Sequence, residues 1–388
     1  MNKDSIRNIL DVIQFRLELD APKDWSIISQ IDRLYCKSQK LGKKDSYTIA
    51  FIVNGILLYS GGHTSILRLG TYLSEMGHQI YYITYDDSSK EQMELNASIN
   101  LPGYKGTCLE SKALNNSYDI GIATIWTSVY HLLAHQDNFD YKMYFIQDFE
   151  PDFYPHGDLY YLALNTYQFG FHMVSLGHWN KQRIEDAVNS KVDWVDFPVE
   201  LDYYQMNRRK LEIKDKVVIT VYFKTDRKRA PFLLAEQIKY MQRKFKNSGY
   251  QVQVNLFGAS KLVNIPNTTN LGKLVPHKLR ELYKKSHLGV VASLTNISLV
   301  NYEMIASGLP VIDYRDGSAP TFFSEQEMIF VESDIKDLYN KINHYLHHQE
   351  DLNLILEKSQ EKLERDNTSW KKSAQQFNSI LIQNGKTN

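Results

Sequence analysis

The sequence is poor in cysteine, with only Cys36 and Cys108 in 388 residues. Two cysteines supply neither a disulfide framework nor a cysteine-based zinc site, which is typical of proteins of the reducing cytosol. The chain also lacks any uninterrupted run of about 18 apolar residues, and the amino terminus, MNKDSIRNILDVIQF, lacks the apolar core of a signal peptide. We therefore expect a cytoplasmic protein with no transmembrane segment.

The sequence has no excess of charge, because 45 basic residues balance 45 acidic ones. This balance provides no electrostatic footprint for nucleic acid, so an anionic ligand must be bound by a local cluster of cations. The helical pattern of residues 1–45 carries Leu10, Ile13 and Leu17 beside Arg16. This short amphipathic face leaves open a peripheral contact with the inner face of the cell membrane.

Apolar strand patterns alternate with helical patterns along most of the chain. The strand Tyr47–Asn54 leads into Ser60-Gly61-Gly62-His63 and then a helix, and further strands follow at 118–124 and 142–147. A charged stretch, LDYYQMNRRKLEIKDK, precedes a second series that starts at Lys216–Phe223. Repeated βαβ patterns on both sides of a charged linker predict two Rossmann-like α/β domains. The glycine pair forms either a tight turn or a place where backbone approaches a ligand.

The polar turn at Thr295-Asn296 lies between a predicted strand and a predicted helix. Thr295, Asn296 and Ser298 are residue types that cap helices, and a helix amino end also attracts phosphate. Glu303 is predicted on or beside the face that packs on the sheet, where a carboxylate is costly without hydrogen-bond donors. A ribose diol and a cation from the fold are both suitable partners for it.

Two further loops carry clustered polar side chains. The loop after the strand at 216–223 contains four cations within six residues, which form either a solvated loop or a diphosphate site: Lys224, Arg227, Lys228 and Arg229. The segment after Tyr144, YFIQDFEPDFYPHGD, is dense in carboxylates and aromatic rings. This composition suits either an irregular acidic loop or a sugar site, and Asp148 or Glu150 could act as a base.

The segment SLTNISLVNYEMIASGLPVIDY resembles the donor-binding segment of GT-B glycosyltransferases, especially retaining family four. That family has a Glu, seven residues, a second Glu and then a run of small residue, Gly, x, Pro and Val. Glu303 matches the second Glu and the run falls at 306–311, whereas Thr295 stands where the first Glu would be. The T-N-x-S-L-x-x-Y-E-M pattern and the roughly 35 residues from Tyr144 resemble the rhamnosyltransferases of S-layer glycan and rhamnan synthesis.

The resemblance implies a GT-B fold, with two Rossmann-like domains facing a cleft and a carboxyl-terminal helix crossing back to the first domain. The expected bounds are 1–205 for the acceptor-side domain with a helical preface at 1–45, 206–365 for the nucleotide-sugar domain, and 366–388 for the returning helix. The implied function is a retaining, metal-independent hexosyltransferase that needs no cofactor. It would move L-rhamnose from dTDP-L-rhamnose onto a growing cell-surface polysaccharide or glycan.

The resemblance also implies roles for individual residues. Glu303 would bind the ribose, and Thr295, Asn296 and Ser298 would bind the diphosphate together with Lys224 and Arg229, which would stabilise the transition state. The remaining candidates are Gly61, Gly62 and His63 near the transferred sugar and phosphates, Leu274 beside the base, Asp152 and Tyr154 at the acceptor, and Asp148 and Glu150 as acceptor-side or catalytic carboxylates.

Two alternatives remain open at this point. One is a transferase of the same fold that uses another nucleotide sugar. The other is a catalytically silent GT-B subunit that supports a partner transferase, which the Thr295 departure keeps open. The expected partners are a nucleotide-sugar donor and a glycan acceptor, which could be lipid-linked, with no nucleic acid. A homo-oligomer or a complex with a partner transferase is compatible with the sequence.

Overall fold

The computed structural model describes residues 23–31, 35–37, 39–199, 204, 206–260 and 262–384. The chain divides into two compact units, of which the first comprises Met1–Phe145, Tyr161–Met173 and Ile382–Asn388, and the second Ile146–Tyr160 and Val174–Leu381. Most of the helical preface predicted at 1–45 lies outside the described residues, although Lys23–Gln30 is a helix, α1. Both cysteines are free and buried.

The first parallel sheet has seven strands. Each is an apolar run of the amino-terminal half, and glycine or polar turns end these runs. Its strands are β1 Thr48–Val53, β2 Gln79–Thr84, β3 Thr107–Leu109, β4 Tyr118–Ala123, β5 Phe139–Ile146, β6 His172–Leu176 and β7 Asp193–Val195. The order across the sheet is β3-β2-β1-β4-β5-β6-β7. The intervening helices are α2 Gly61–Glu75, α3 Lys90–Asn100, α4 Trp126–Ala134, α5 Asp158–Asn165 and α6 His178–Val188.

The second parallel sheet has six strands in the order β10-β9-β8-β11-β12-β13. They are β8 Lys216–Tyr222, β9 Gln251–Phe257, β10 Thr268–Asn270, β11 Leu288–Val290, β12 Val311–Tyr314 and β13 Ile329–Val331. The helices of this part are α7 Pro231–Phe245, α8 Pro276–Lys285, α9 Leu299–Ala306, α10 Ala319–Phe322, α11 Asp337–His347 and α12 Gln349–Asp366. The central strands carry apolar residues on successive positions because helices cover a parallel sheet on both faces.

Each sheet has a point at which the strand order reverses. In the first sheet β1 lies between β2 and β4, and in the second β8 lies between β9 and β11. Loops that leave neighbouring strands in opposite directions open a crevice at this point, which is where open α/β sheets bind ligands. The loops that follow β8 and β11 are therefore the expected binding loops of the second sheet.

The last helix, α13 Trp370–Asn384, is anchored near the end of the first sheet. The Gln376 amide exchanges two hydrogen bonds with Asp196, and Ser373 Oγ donates to the Asp196 carbonyl at 2.8 Å. Asp196 directly follows β7, and the Trp370 indole is buried. The helix predicted to return from residue 366 thus hydrogen-bonds to the segment that leaves β7.

The predicted α/β architecture with two parallel sheets is confirmed, and the differences concern the ends of elements. The strand predicted at 142–147 is Phe139–Ile146, since Lys142 lies inside it with its ammonium donating to the Phe139 carbonyl at 2.9 Å. Because Lys142 interrupts the apolar pattern, the sequence did not show that the buried strand begins three residues earlier, at Phe139. Among the described residues, no helix combines the length and apolarity that crossing a bilayer requires.

Candidate functional site

The Thr295 turn, residues 293–298, joins β11 to α9. Only Ser298 caps the helix, its Oγ accepting from the Val300 N–H at 3.3 Å. Thr295 and Asn296 are each 3% exposed, and their side chains bond to other parts of the protein. Two of the three predicted capping residues therefore serve tertiary contacts, because the helix begins only at Leu299.

A buried carboxylate fixes the start of this turn. Asp313 Oδ1 accepts from the Ser293 N–H at 2.7 Å, and Oδ2 accepts from Asn301 Nδ2 at 2.7 Å. Burial raises the pKa of Asp313, while these donors and the Tyr314 N–H oppose the rise. Sequence reasoning missed Asp313 and Asn301, although an Asp inside an apolar strand pattern is a signal of a paired buried carboxylate.

The cation loop, residues 224–229, follows β8 and lies across the strand-order reversal from the Thr295 turn. Arg229 Nη1 donates to the Ala292 carbonyl at 2.9 Å, which ties the loop to the segment after β11. The Lys224 Nζ and the Arg229 Cζ lie 5.7 and 6.0 Å from the centroid of the Tyr222 ring. The two cations that were predicted to bind the diphosphate thus lie near the same tyrosine ring.

A third cation, Lys273, was missed by sequence reasoning. Burial lowers the pKa of Lys224, and the positive charges of Lys273 and Arg229 lower it further, against Asp226. Lys273 is exposed and follows Gly272, whose carbonyl accepts from the Gly258 N–H at 2.8 Å at the end of β9. Its signal in the sequence was a Gly-Lys pair one residue after the short strand β10, which is a weak signal without the tertiary contact.

Backbone strain accompanies two of the loops that were predicted to bind ligand, the glycine turn and the cation loop. Ala230, which follows Arg229, has φ +42°, and Tyr59, which precedes Ser60 and the glycine pair, has φ +55°. Left-handed conformations of non-glycine residues cost roughly 1–3 kcal/mol and concentrate at functional sites. The strain supports a functional role for each of these loops.

Glu303 is half-buried on α9, and its charge acts on Tyr283 and Tyr222. The Tyr283 hydroxyl donates to Glu303 Oε2 at 3.5 Å, a long hydrogen bond. Burial raises the pKa of Tyr283, and the Glu303 carboxylate adds to the rise. Leu274 is also half-buried and lies two residues before α8. Both residues retain exposed surface that a ligand could contact.

The Asp148 carboxylate accepts hydrogen bonds from three separate segments of the chain. Its Oδ1 accepts from the Phe149 and Asn296 N–H groups, each at 2.9 Å. Its Oδ2 accepts from Thr295 Oγ1 and from Lys228 Nζ, also at 2.9 Å each. The structure therefore joins Asp148, which was assigned to the acceptor side, to the predicted donor-side turn.

The other acceptor-side candidates belong to the same short segment. Glu150 is 2% exposed and begins the 3₁₀ helix Glu150–Phe153, and Tyr154, which follows it, is half-buried. Burial raises the pKa of Asp152, although Arg183, whose Nη2 lies 3.4 Å from Asp152 Oδ2, opposes the rise. The assignment of Glu150, Asp152 and Tyr154 to an acceptor stays a prediction.

The glycine turn belongs to the first unit. Gly61 and Gly62 are exposed at the start of α2, which is capped by Ser60. His63 is 8% exposed, its Nδ1 accepts from the Leu57 N–H at 3.1 Å, and its Nε2 lies 3.1 Å from Asn54 Oδ1. The ring is therefore neutral with its proton on Nε2, so it fixes the loop before the glycines.

We expect His63 to make the protein less stable as the pH falls from 6.5 to 4. Burial lowers the pKa of His63 from 6.5 to about 4, against the Asp86 charge, so the unfolded chain binds a proton in this range and the folded chain does not. The free energy of unfolding should fall by about 3 kcal/mol through this residue. Urea unfolding of His63→Gln across this pH range should show a flatter profile, and the exposed His348→Gln is the control. Identical slopes for His63→Gln and the parent would contradict the prediction.

Comparison with known proteins gives two matches at the level of sequence. Residues 232–379 match a family model described as Glycosyl transferase-like, a range that includes the Thr295 turn and Glu303. The O-antigen biosynthesis protein RfbC of Myxococcus xanthus is 25% identical over an alignment of 271 residues, and the match covers 66% of this chain. The match covers 20% of RfbC, so this chain corresponds to about a fifth of that relative.

Solved structures show the fold. HepE of Anabaena in complex with UDP-glucose has a TM-score of 0.66 at 12% identity, covering 86% of this chain and 99% of HepE. A glycosyltransferase of Rickettsia africae has a TM-score of 0.64 at 14% identity, covering 89% of this chain and all of the other. The sucrose-phosphate synthase of Thermosynechococcus elongatus also gives 0.64 at 14% identity, with 88% and 99% covered. Residues 232–379 thus resemble a glycosyl transferase-like domain, and the chain has the GT-B fold.

Proposed function

We propose that this protein is a glycosyltransferase that moves a sugar from a nucleotide-sugar donor onto a growing cell-surface polysaccharide or glycan. The observation that carries the proposal is the placement of Lys224 and Arg229 beside the Tyr222 ring at the end of β8, with the positive charge of Lys273 also acting on Lys224. Like charges repel one another, so their clustering is best explained by an anionic ligand that binds among them.

The chemistry follows from the charge of the leaving group. When the bond between the sugar and the diphosphate breaks, the departing oxygen gains negative charge. Cations already held in place stabilise that charge more in the transition state than in the bound donor, which accelerates the step. Arg229 is suited to this task because its guanidinium is oriented by the Ala292 carbonyl. Glu303 would bind the ribose hydroxyls on the other side of the nucleotide.

The finer proposal is transfer of L-rhamnose from dTDP-L-rhamnose with retention of configuration. It rests on the T-N-x-S-L-x-x-Y-E-M pattern around Glu303 and on the segment after Tyr144, which resemble rhamnosyltransferases. RfbC acts in O-antigen biosynthesis by its name, which supports a surface glycan as the product. HepE was solved with UDP-glucose, so a uridine donor is the first alternative to test.

A catalytically silent subunit is the second candidate, and one observation favours it. Thr295 replaces the carboxylate that the resembled family has at this position, and it is buried. Such a subunit would bind a nucleotide but release none. Incubating the purified chain with dTDP-L-rhamnose, UDP-glucose and a panel of other donors, and measuring the nucleoside diphosphate released, separates the two functions. We expect release from dTDP-L-rhamnose in the presence of acceptor.

We expect the same transfer to survive chelation. The cations at the proposed diphosphate site would neutralise charge that other transferases neutralise with a divalent metal ion. Transfer should retain most of its rate in excess EDTA, with the parent protein in magnesium as the reference. Loss of activity in EDTA and its recovery on adding magnesium would overturn this part of the proposal.

A further inference from the structure

The Asp148 carboxylate connects three segments of the second unit. Four donors surround it: the Phe149 and Asn296 N–H groups at Oδ1, and the Thr295 hydroxyl and Lys228 ammonium at Oδ2, each at 2.9 Å. A carboxylate has about four lone-pair positions, so its accepting capacity is fully used. A general base needs a free lone pair directed at the proton that it removes, and Asp148 has none.

Three of the four donors of Asp148 come from the two loops that flank the strand-order reversal. Lys228 belongs to the cation loop after β8, and Thr295 and Asn296 belong to the turn after β11. Arg229, next to Lys228, is bonded to Ala292 of the same turn region. Asp148 is thus a second crosslink between the loops that frame the Arg229 guanidinium.

The Lys228 ammonium is engaged by Phe153 and Asp148 and is therefore not available to the diphosphate. The ammonium lies 3.7 Å from the centroid of the Phe153 ring as well as 2.9 Å from Asp148 Oδ2. The side chains of Lys228 and Asp148 are 24% and 11% exposed, so little solvent screens the pair. Lys228 therefore fixes the loop, and the neighbouring Arg229 is left to bind the ligand.

We propose that Asp148 is a positioning residue of the donor site, which holds the cation loop and the Thr295 turn at the spacing that aims Arg229 at the diphosphate. This inference rests on the proposed function for its ligand but not for its geometry. It assigns Asp148 to binding of the donor diphosphate and not to proton transfer at the acceptor. Displacement of a positioned group by about 1 Å can reduce a rate by about a hundredfold.

The test compares Asp148→Asn, Lys228→Met and the double variant, with the exposed Asp158→Asn as the matched control. An amide at 148 directs an NH₂ group at two of the four donors, so the crosslink fails while the shape is kept. We expect Asp148→Asn and Lys228→Met each to weaken nucleoside diphosphate binding about tenfold. The double variant should bind the nucleoside diphosphate as tightly as the single variant with the lower affinity, because both substitutions break the same contact. The pH profile of kcat should keep its shape.

Two results would overturn the inference. If Asp148→Asn abolished kcat and the acidic limb of its pH profile while Lys228→Met did neither, Asp148 would be a base. If both variants lowered the melting temperature but left nucleotide affinity unchanged, the network would be purely structural.

Hydrogen exchange provides a readout that needs no ligand. Peptides covering 224–230 and 293–298 should exchange faster in Asp148→Asn and not in Asp158→Asn, and unchanged exchange in both would refute the crosslink. Faster exchange in a protein that binds no nucleotide sugar would instead refute only the proposed function. Should Asp148→Asn fail to fold, Lys228→Met supplies both measurements.

Discussion

Replacing Arg229 with Gln is expected to lower kcat/KM for sugar transfer by a factor of about 10² to 10³. Removing one preorganised group that stabilises transition-state charge costs about 2.7–4 kcal/mol. Arg229 is preorganised because Nη1 donates to the Ala292 carbonyl at 2.9 Å, leaving the rest of the guanidinium fork for a phosphate. The measurement is steady-state transfer with the preferred donor, together with the affinity for the free nucleoside diphosphate.

The matched comparison is Arg227→Gln, which removes the same charge from the same 3₁₀ helix, Arg227–Arg229, at an exposed position. Its effect measures the general electrostatic field, and we expect less than about threefold because exposed charges are screened. Arg229→Lys keeps the charge but loses the planar fork, so it should fall between the two. Equal effects at 227 and 229 would show that overall charge, and not the placement of Arg229, assists the reaction.

Replacing Glu303 with Gln is expected to weaken binding of both the donor and the free nucleoside diphosphate by at least about tenfold. Hydrogen bonds to a charged group are worth roughly 1.5–3 kcal/mol each, and a tenfold change corresponds to about 1.4 kcal/mol. The amide keeps the shape of the side chain but loses the charge that a ribose diol would stabilise. Isothermal calorimetry measures this affinity directly.

The melting temperature of the same variant without ligand separates a binding role from a structural one. The Tyr283–Glu303 hydrogen bond is long, at 3.5 Å, so we expect little change in the unliganded protein. Tyr283→Phe removes that bond and should leave nucleotide affinity near that of the parent, and Glu281→Gln is an exposed control for loss of charge. Marked destabilisation of Glu303→Gln with unchanged affinity would remove Glu303 from the site.

The architecture was accessible from sequence because it depends on patterns that are local in the chain. Runs such as Thr48–Val53 and Lys216–Tyr222 are apolar and β-branched, and each precedes a turn and an amphipathic helix. That alternation requires parallel strands with helical crossovers, whichever side chains fill the core. The positions of the cation loop and of the Thr295 turn at carboxyl ends of strands follow from the same alternation.

Which polar residues meet one another could not be predicted in this way. Asp148 and Thr295 are separated by 147 positions, and nothing in either local pattern specifies their hydrogen bond. Lys273 was overlooked for the same reason, since its relation to Lys224 arises from the contact between Gly258 and Gly272. Strand order across a sheet brings such segments together, and strand order is a property of the packed chain.

The sequence by itself determined the two parallel sheets, the loops that could bind a ligand, and the presence of cations and Glu303 on those loops. Hydrophobic periodicity and turn chemistry carry this information, and both act over a few residues. Only the tertiary structure decided how the polar side chains are used: it buried Thr295 and Asn296, paired Lys228 with Asp148, neutralised His63 and left Arg229 anchored through one nitrogen. Burial and pairing depend on neighbours that only folding supplies, because the cost of desolvating a polar group is offset by whichever partner the packed chain places beside it.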